Sequence, residues 1–472
     1  MSGLPRQVDY HRNIQDAAIY KTLRVPLSSN TASAVAPATN ASTLLQWKLP
    51  AGVVVNLSKS TISYNVKMNG PGATPKFNVF ADDNFQIANS LQLVSGNGLV
   101  IADVPYCNRY TKIVDKYYTR RADFMSRGNV DVGYPSNSLV DKNPIHQATA
   151  PFIAANDNTY GLPIAVGATQ DSAFVDYSEP RYFKVGGDTL ALGVAKYQCL
   201  GDVGRNTLFE QDKDIYLGES CYLNLNTAPV DNWAFVSSSA TVLKAGATST
   251  ACAAGAVSIT NIMLNLAVED NAVIAQSVLA KFHSAGGIEL HTDFIYAVRN
   301  ALNSSTSNVT VQVPQQANSK LKRIINCAYN ATETLCRGFD CHDLNGEKIL
   351  NYQSTMDSQP LQNTLIDCAF STSTTIANQD FRENEKFFKG AIIFGVPMYA
   401  YNWAVLDDFS GDESIERGIE YQNHEAGLDL NMSRNYLMQM STPLAGALNI
   451  AFYSFCVISK VLRITPNGIA FV

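Results

Sequence analysis

The sequence predicts an all-β protein in which one two-sheet sandwich is built twice along the chain. Many short segments alternate apolar and polar residues, few segments have helical spacing, and short motifs recur at one offset. The 472 residues are enough for two domains with cores of their own. Hydrophobic residues make up 46% of the chain, which is sufficient to fill both cores and excludes a disordered protein.

Short motifs recur at a separation of 205 residues, which is the size of a complete domain. The pairs are Tyr182-Phe183-Lys184 with Phe387-Phe388-Lys389, Asp202 with Asp407, and Leu223-Asn224-Leu225-Asn226 with Leu428-Asp429-Leu430-Asn431. The alternative is coincidence in a sequence rich in Asn, Leu and Lys. We interpret the recurrence as a duplication.

The first half is predicted to be an N-terminal arm over residues 1–40 followed by a sandwich over 41–268. The arm prediction depends on 28–42, which is mostly Ser, Thr, Asn, Ala and Pro without any period, as in segments ordered only by contact. Strand alternation begins near Leu45 and is clear again around Ile62.

A helical pattern with the densest basic patch of the chain occupies residues 109–127. One interpretation is a weak contact with an acidic surface, such as the genome or an internal membrane. The other is a solvated helix face that pairs with Asp115, Asp123 and neighbouring subunits. The sequence leaves both open.

A linker helix over 269–286 and a second sandwich over 287–472 complete the predicted organisation. Asp270 or Asn271 can cap a helix that carries apolar residues at helical spacing, and Gly286-Gly287 can end it. Strand alternation resumes at Ile288. The last long strand, 449–458, is apolar on both faces, so we expect it between a core and a neighbouring wall.

Each half therefore offers about eight short strands with little helix, which is typical of a sandwich. Eight-stranded jelly rolls protect their sheet edges without closing into a barrel. The predicted fold is all-β, with two tandem eight-stranded jelly rolls, a few short helices and long loops: a double jelly roll.

Composition and motifs point away from enzymes and free nucleic-acid binders. The net charge is −6, and only 16% of residues are charged, which suits surfaces that pack against copies of the same protein. No HExxH, GxSxG or Walker motif occurs, so we predict no catalytic, cofactor-binding or metal site and no small-molecule substrate. With no signal sequence or long apolar run, we expect synthesis as a soluble protein with reduced cysteines.

Two groups of residues could still carry chemistry. Cys336, Cys341 and His342 have ligand-capable side chains but lack paired zinc spacing, and whether they bind anything stays open. Asp82-Asp83 and Asp407-Asp408 lack the glycine and bidentate glutamate of a calcium loop, so turn or hydrogen-bonding roles are favoured.

Segments of the second half resemble those of a known capsid family. They are Asn308-Val309-Thr310-Val311, Lys320-Leu321-Lys322-Arg323-Ile324, Tyr401-Asn402-Trp403, Asp407-Asp408-Phe409, Val461-Leu462-Arg463-Ile464-Thr465 and Asn467-Gly468-Ile469. These segments resemble the C-terminal jelly roll of double jelly-roll major capsid proteins of small DNA viruses, of the polinton-like and virophage type. The resemblance is firmest over 287–472, and in the first half it depends on architecture and the internal repeat.

The resemblance implies a structural protein of the virion. Three chains would form a homotrimeric, pseudo-hexameric capsomer, and capsomers would tile an icosahedral shell with penton and minor capsid proteins around double-stranded DNA. It implies no catalytic residue and no cofactor. Two alternatives come from other classes: a carbohydrate-binding or adhesive β-sandwich, and a glycosidase that uses a pair of carboxylates.

Overall fold

The structure is a computed structural model in which two β-sandwiches follow each other along the chain. It describes residues 18–28, 42–68, 77–80, 87–118, 194–229, 234–237, 249–251, 257–302, 306–330, 351–367, 404–409, 427–441 and 450–472.

The first half contributes twelve strands and two helices to the described structure. The strands are β1 (Tyr20–Pro26), β2 (Leu44–Lys48), β3 (Val54–Met68), β4 (Phe77–Phe80), β5 (Ala88–Val94), β6 (Val100–Pro105), β7 (Val194–Cys199), β8 (Asp214–Tyr216), β9 (Tyr222–Thr227), β10 (Ala234–Ser237), β11 (Ser249–Ala251) and β12 (Val257–Glu269). The helices are α1 (Cys107–Tyr118) and α2 (Leu200–Val203). Sheet A has the order β1-β12-β3-β7 with β8 beside β3, sheet B has the order β2-β9-β5-β6, and the small sheet C has the order β11-β10-β4.

Helix α3 (Ala272–Phe282) leads into the second half. The strands that follow are β13 (Ile288–Leu302), β14 (Thr306–Val313), β15 (Lys320–Asn330), β16 (Asn351–Met356), β17 (Gln359–Pro360), β18 (Ile366–Asp367), β19 (Ala404–Asp408), β20 (Leu428–Asp429), β21 (Arg434–Ser441), β22 (Ile450–Thr465) and β23 (Gly468–Phe471). Sheet D has the order β13-β22-β15-β19 with β20 and β23 at its sides, and sheet E has the order β14-β21-β16-β17 with β18 beside β16.

Both halves connect their main strands in the same way. When the eight main strands of a half are numbered along the chain, sheets A and D both have the order 1-8-3-6, and sheets B and E both have the order 2-7-4-5. Two sheets related by this order are a jelly roll. The predicted double jelly roll is confirmed.

The predicted arm over residues 1–40 is wrong in its middle part. Tyr20–Pro26 form β1, which pairs antiparallel with β12 along its whole length. The backbone hydrogen bonds of β12 order this segment, although its own composition shows little alternation. Residues 1–17 and 29–41 lie outside the described residues, so there the arm stays a prediction.

The 205-residue register of the sequence repeat is also wrong. Leu223-Asn224-Leu225-Asn226 lie in β9 of sheet B, whereas Leu428 lies in β20, which pairs with β15 in sheet D. Asp202 is in α2 and Asp407 is in β19. The motifs at 182 and 387 lie outside the described residues. The two halves therefore repeat the order of strands in their sheets but not the spacing of motifs along the chain, because segments of different length separate equivalent strands.

Helix α3 forms where the sequence predicts it. Asn271 is its N-cap, and the side-chain oxygen accepts a hydrogen bond from Val273 N at 3.0 Å. The helix ends at Phe282, before the predicted glycine stop, and Gly287 then takes a positive φ of 65° to enter β13. No helix in the described part of the chain has the length and apolarity needed to cross a membrane.

Candidate functional site: the junction between the two sandwiches

The two sandwiches meet at sheet D, whose central strand β22 is buried on both faces. On one face Ser454 donates to Asn326 Oδ1 at 2.6 Å, and Asn326 donates to the hydroxyl of Tyr436 on the opposite sheet at 2.8 Å. That face is the core of the second sandwich. Tyr453 and Phe455 alternate with Ser454 and are also buried. They lie on the opposite face, towards the first sandwich.

Aromatic rings join the two halves at this junction. The ring of Tyr106 meets that of Tyr453 at 5.1 Å between centroids, and the ring of Tyr110 meets that of Phe455 at 5.3 Å. Both distances and their tilted orientations are favourable for aromatic pairs. The prediction that the last long strand is buried between a core and a wall is confirmed, and the wall is the first sandwich.

Helix α1 carries the ring of Tyr110, directly follows Tyr106, and is anchored by hydrogen bonds to the segment after β7. Tyr106 turns the chain with a φ of 48°, and α1 starts at the next residue. Cys107 Sγ and Thr111 Oγ1 both donate to Val203 O, at 2.9 and 3.0 Å. The Tyr110 hydroxyl donates to Asn206 Oδ1 at 2.7 Å. These bonds fix the helix against the segment that contains Val203 and Asn206.

The segment 200–211 is itself held by buried charges. Arg205 lies 2.7 Å from Glu210 and 3.4 Å from Asp202, and all three side chains are largely or fully buried. The other Glu210 oxygen accepts from Asn206 N at 2.8 Å. The neighbouring Gln211 donates through Nε2 to the backbone oxygen of His291 on β13. A polar link therefore reaches from the first sandwich to the second.

Two further ion pairs lie on the junction face of sheet D: Lys322 with Asp293, and Arg323 with Asp408. Asp293 is paired with Ser459 across β13 and β22, which places it on the same face as Tyr453 and Phe455. Lys322 Nζ lies 3.0 Å from Asp293 Oδ1, and both side chains are buried. Lys322 is at a break in the β15–β22 register, and such a bulge re-aims a side chain.

Asp407 and Asp408, considered as a candidate pair from the sequence, point to opposite faces of sheet D. Asp408 lies 3.9 Å from Arg323 Nε on the junction face. Asp407 is buried in the second core, where it accepts from the Tyr436 hydroxyl at 2.6 Å and from Gln362 Nε2 at 2.9 Å. Burial raises the pKa of Asp407, although these hydrogen bonds favour its ionised form. The structure therefore gives both carboxylates hydrogen-bonding or ion-pair roles, as the sequence favoured.

The raised pKa of Asp407 predicts a pH-dependent contribution to stability. A carboxyl group with a raised folded-state pKa stabilises the fold in acid, and this contribution is lost as the pH rises through that pKa. In Asp407→Asn the contribution is absent. The stability of the wild type relative to this variant should therefore increase from pH 7 to about pH 4, by about 1.4 kcal/mol per unit of pKa shift. Urea unfolding at several pH values measures it.

Asp357 provides the control with the opposite sign. Partial burial acts against ionisation, but the hydrogen bond from Asn435 N–H and the nearby Arg434 guanidinium hold the pKa of Asp357 below its usual range. The stability of the wild type relative to Asp357→Asn should fall as the pH drops through that pKa. Equal pH profiles for the two variants would contradict the assignment of Asp407.

Comparison with solved structures finds the same fold in viral proteins. The crystal structure of PBCV-1 VP54, fitted into a reconstruction of the virophage Sputnik, aligns over 97% of this chain and 97% of its own, with a TM-score of 0.53 and 9% identity. The Faustovirus major capsid protein aligns over 98% of this chain and 93% of its own, with a TM-score of 0.51 and 8% identity. The chain has the double jelly-roll fold of viral major capsid proteins. No protein-family model and no curated protein sequence matches it.

Within this double jelly roll, several candidate residues lie outside the described residues. They are Cys336, Cys341, His342, Asp82, Asp83 and the basic positions 119–127. The stretches that are described contain no cluster of three or more His, Cys, Asp or Glu side chains suited to a metal ion. Their five cysteines are thiols.

The junction residues of the double jelly roll are the functional residues that sequence analysis missed. Tyr110 lies within the predicted helical pattern, and Tyr106 lies just before it. Nothing local shows that these residues contact a strand more than three hundred residues away. The one available signal was β22, whose two apolar faces indicate two packing partners.

Proposed function

We propose that this protein is a structural major capsid protein located in the virion. The observation that carries the proposal is the pair of complete jelly rolls, related by strand order and joined through a buried aromatic junction. The junction makes one chain a two-sandwich block. The match to capsid proteins over nearly the whole chain supports this function, and it does not favour the carbohydrate-binding alternative.

We further propose that three chains form a pseudo-hexameric capsomer. Three two-sandwich blocks supply six similar sandwiches, which can form a closed ring with repeated contacts. A low content of charged residues, 16%, fits a protein whose faces are largely covered by copies of itself. Such capsomers would contact neighbouring capsomers, penton proteins and minor capsid proteins, and would enclose double-stranded DNA.

The proposed division of the chain follows from this function. In this proposal the two jelly rolls are residues 41–268, together with β1, and residues 287–472, and residues 269–286 are the linker between them. The basic face predicted over 109–127 is a proposed weak contact with the genome or an internal membrane. No catalytic role, cofactor or small-molecule substrate forms part of the proposal.

Light scattering after size-exclusion chromatography tests the capsomer. The purified chain is expected to elute as a trimer with roughly three times the 51.3 kDa chain mass. Negative-stain electron microscopy should show particles with six similar lobes around a centre. A stable monomer at micromolar concentration, combined with reproducible binding to a glycan array, would instead support the adhesive sandwich.

A further inference from the structure

One lysine of sheet D is partly buried between two aromatic rings. The Nζ atom of Lys460 on β22 lies 4.4 Å from the centroid of the Phe294 ring on β13 and 5.1 Å from that of the Phe471 ring on β23. The two rings meet edge to face, with 5.1 Å between their centroids. All three side chains are partly buried, so the ammonium group lies at the rim of the second sandwich.

The register of sheet D gives this ammonium group no carboxylate partner. Lys460 lies directly opposite Thr292 on β13, so both side chains are on the same face of the sheet. The carboxylates of β13 belong to Glu289 and Asp293, which alternate to the other face, and Asp293 is paired there with Lys322. Within the part of the chain that the structure describes, no acidic side chain forms an ion pair with Lys460.

The hydroxyl group of Thr292 is a second unused donor beside Lys460. The Thr292 side chain is fully buried, and its Oγ1 atom has no hydrogen-bond partner among the described residues. Such a hydroxyl costs free energy, and so does an ammonium group that is partly removed from water without a counter-charge. Burial accordingly lowers the pKa of Lys460. We name Lys460, Thr292, Phe294 and Phe471 the Lys460 site, which has two donors and no acceptor for them.

The Lys460 site is suited to a carboxylate that lies next to an apolar group. A carboxylate supplies the negative charge and the acceptor oxygens that the site lacks, and hydrogen bonds between ionised groups are stronger than neutral ones. The partly exposed rings of Phe294 and Phe471 offer an apolar surface beside the ammonium group. Aromatic side chains are enriched where protein surfaces meet. An Asp or Glu side chain beside an apolar residue of a peptide segment matches both parts of the site.

We propose that the Lys460 site binds an acidic side chain from a peptide segment of a different protein. The ammonium group of Lys460 pairs with the carboxylate, and an apolar neighbour of the acidic residue covers the rings of Phe294 and Phe471. Charge complementarity identifies this partner, because the cation is already partly dehydrated and held between the rings, and so loses less solvation and freedom on binding than an exposed lysine does. The site goes beyond the proposed capsid function and does not depend on the number of chains in a capsomer.

A lysine that serves binding should lower the stability of the free protein. Lys460→Met removes the unpaired charge and keeps a flexible apolar side chain between the rings, so the urea concentration at the midpoint of unfolding should rise. Lys322→Met on the same sheet is the matched contrast, because Lys322 has a buried carboxylate partner and its loss should lower the midpoint. A lower midpoint in Lys460→Met would show that Lys460 has a structural role and would overturn the inference.

Fluorescence anisotropy with a labelled peptide, Ala-Glu-Phe-Glu-Ala, measures binding to the full chain. The wild type should bind this peptide saturably and bind Ala-Gln-Phe-Gln-Ala about tenfold more weakly, because the second peptide has no side-chain carboxylate. Lys460→Met should lose this preference for glutamate. Lys281→Met is the matched control: it removes the same charge from an exposed position on α3 and should bind like the wild type. If Lys460→Met does not fold, Lys460→Gln replaces it.

Several results would overturn the inference while the capsid proposal stands. They are the absence of saturable binding of the glutamate peptide, equal binding of both peptides, and an equal loss of binding in Lys281→Met. Displacement of the peptide by an equal concentration of acetate would assign the site to small carboxylates. A changed oligomeric state in Lys460→Met would assign it to a second copy of this chain. Either result overturns the choice of a different protein as the partner.

Discussion

Replacing Phe455 by alanine is expected to lower the free energy of unfolding by about 3–5 kcal/mol. Phe455 is fully buried, and its ring contacts Tyr110 of the first sandwich and the parallel ring of Tyr453. Its loss leaves a cavity at the junction. Urea unfolding followed by circular dichroism measures the effect.

The same variant should loosen the first sandwich as well as the second. Hydrogen exchange at α1 is expected to accelerate in Phe455→Ala, because Tyr110 loses its partner. Phe452→Ala is the matched control: it removes an equally buried ring from the same strand, but on the core face. An identical exchange pattern at α1 in the two variants would show that Phe455 does not couple the sandwiches.

Replacing Lys322 by methionine is expected to cost about 3–5 kcal/mol, because it leaves the buried carboxylate of Asp293 without its partner. Adding Asp293→Leu should recover most of the lost stability, since the pair is then replaced by apolar side chains. Chemical unfolding of the single and double variants gives both values.

The pair between Arg463 and Glu289 is the control for this prediction. It joins the neighbouring strands β22 and β13, but both side chains are more than 40% exposed. Solvent screens such a pair, so Arg463→Met should cost less than about 1 kcal/mol. If Lys322→Met is as mild as Arg463→Met, the junction around Asp293 is open to water.

The sequence predicted the features that depend on local pattern. Alternation around Ile62 and Ile288 marked strands, Asn271 marked the start of α3, and the length and strand number indicated two sandwiches. Each of these signals arises from neighbouring residues, either through the two-residue period of a strand or through the capping of a helix.

Sequence reasoning failed where distant partners decide the structure. Tyr20–Pro26 became a strand because β12 pairs with it, and the 205-residue register was wrong because strand order is conserved between the halves while loop lengths are not. The polar residues Asn326 and Ser454 lie in a core because Tyr436 on the facing sheet completes their hydrogen bonds.

The sequence by itself determined that this chain is strand-rich, poor in charge and large enough for two sandwiches. Only the tertiary structure decided which faces of those sandwiches are covered. Sheets A and D have the same strand order, yet one outer face is buried by aromatic rings of the other half and one remains open. The reason is physical: a two-residue period fixes which residues share a face, but the partner of that face comes from elsewhere in the chain or from another chain.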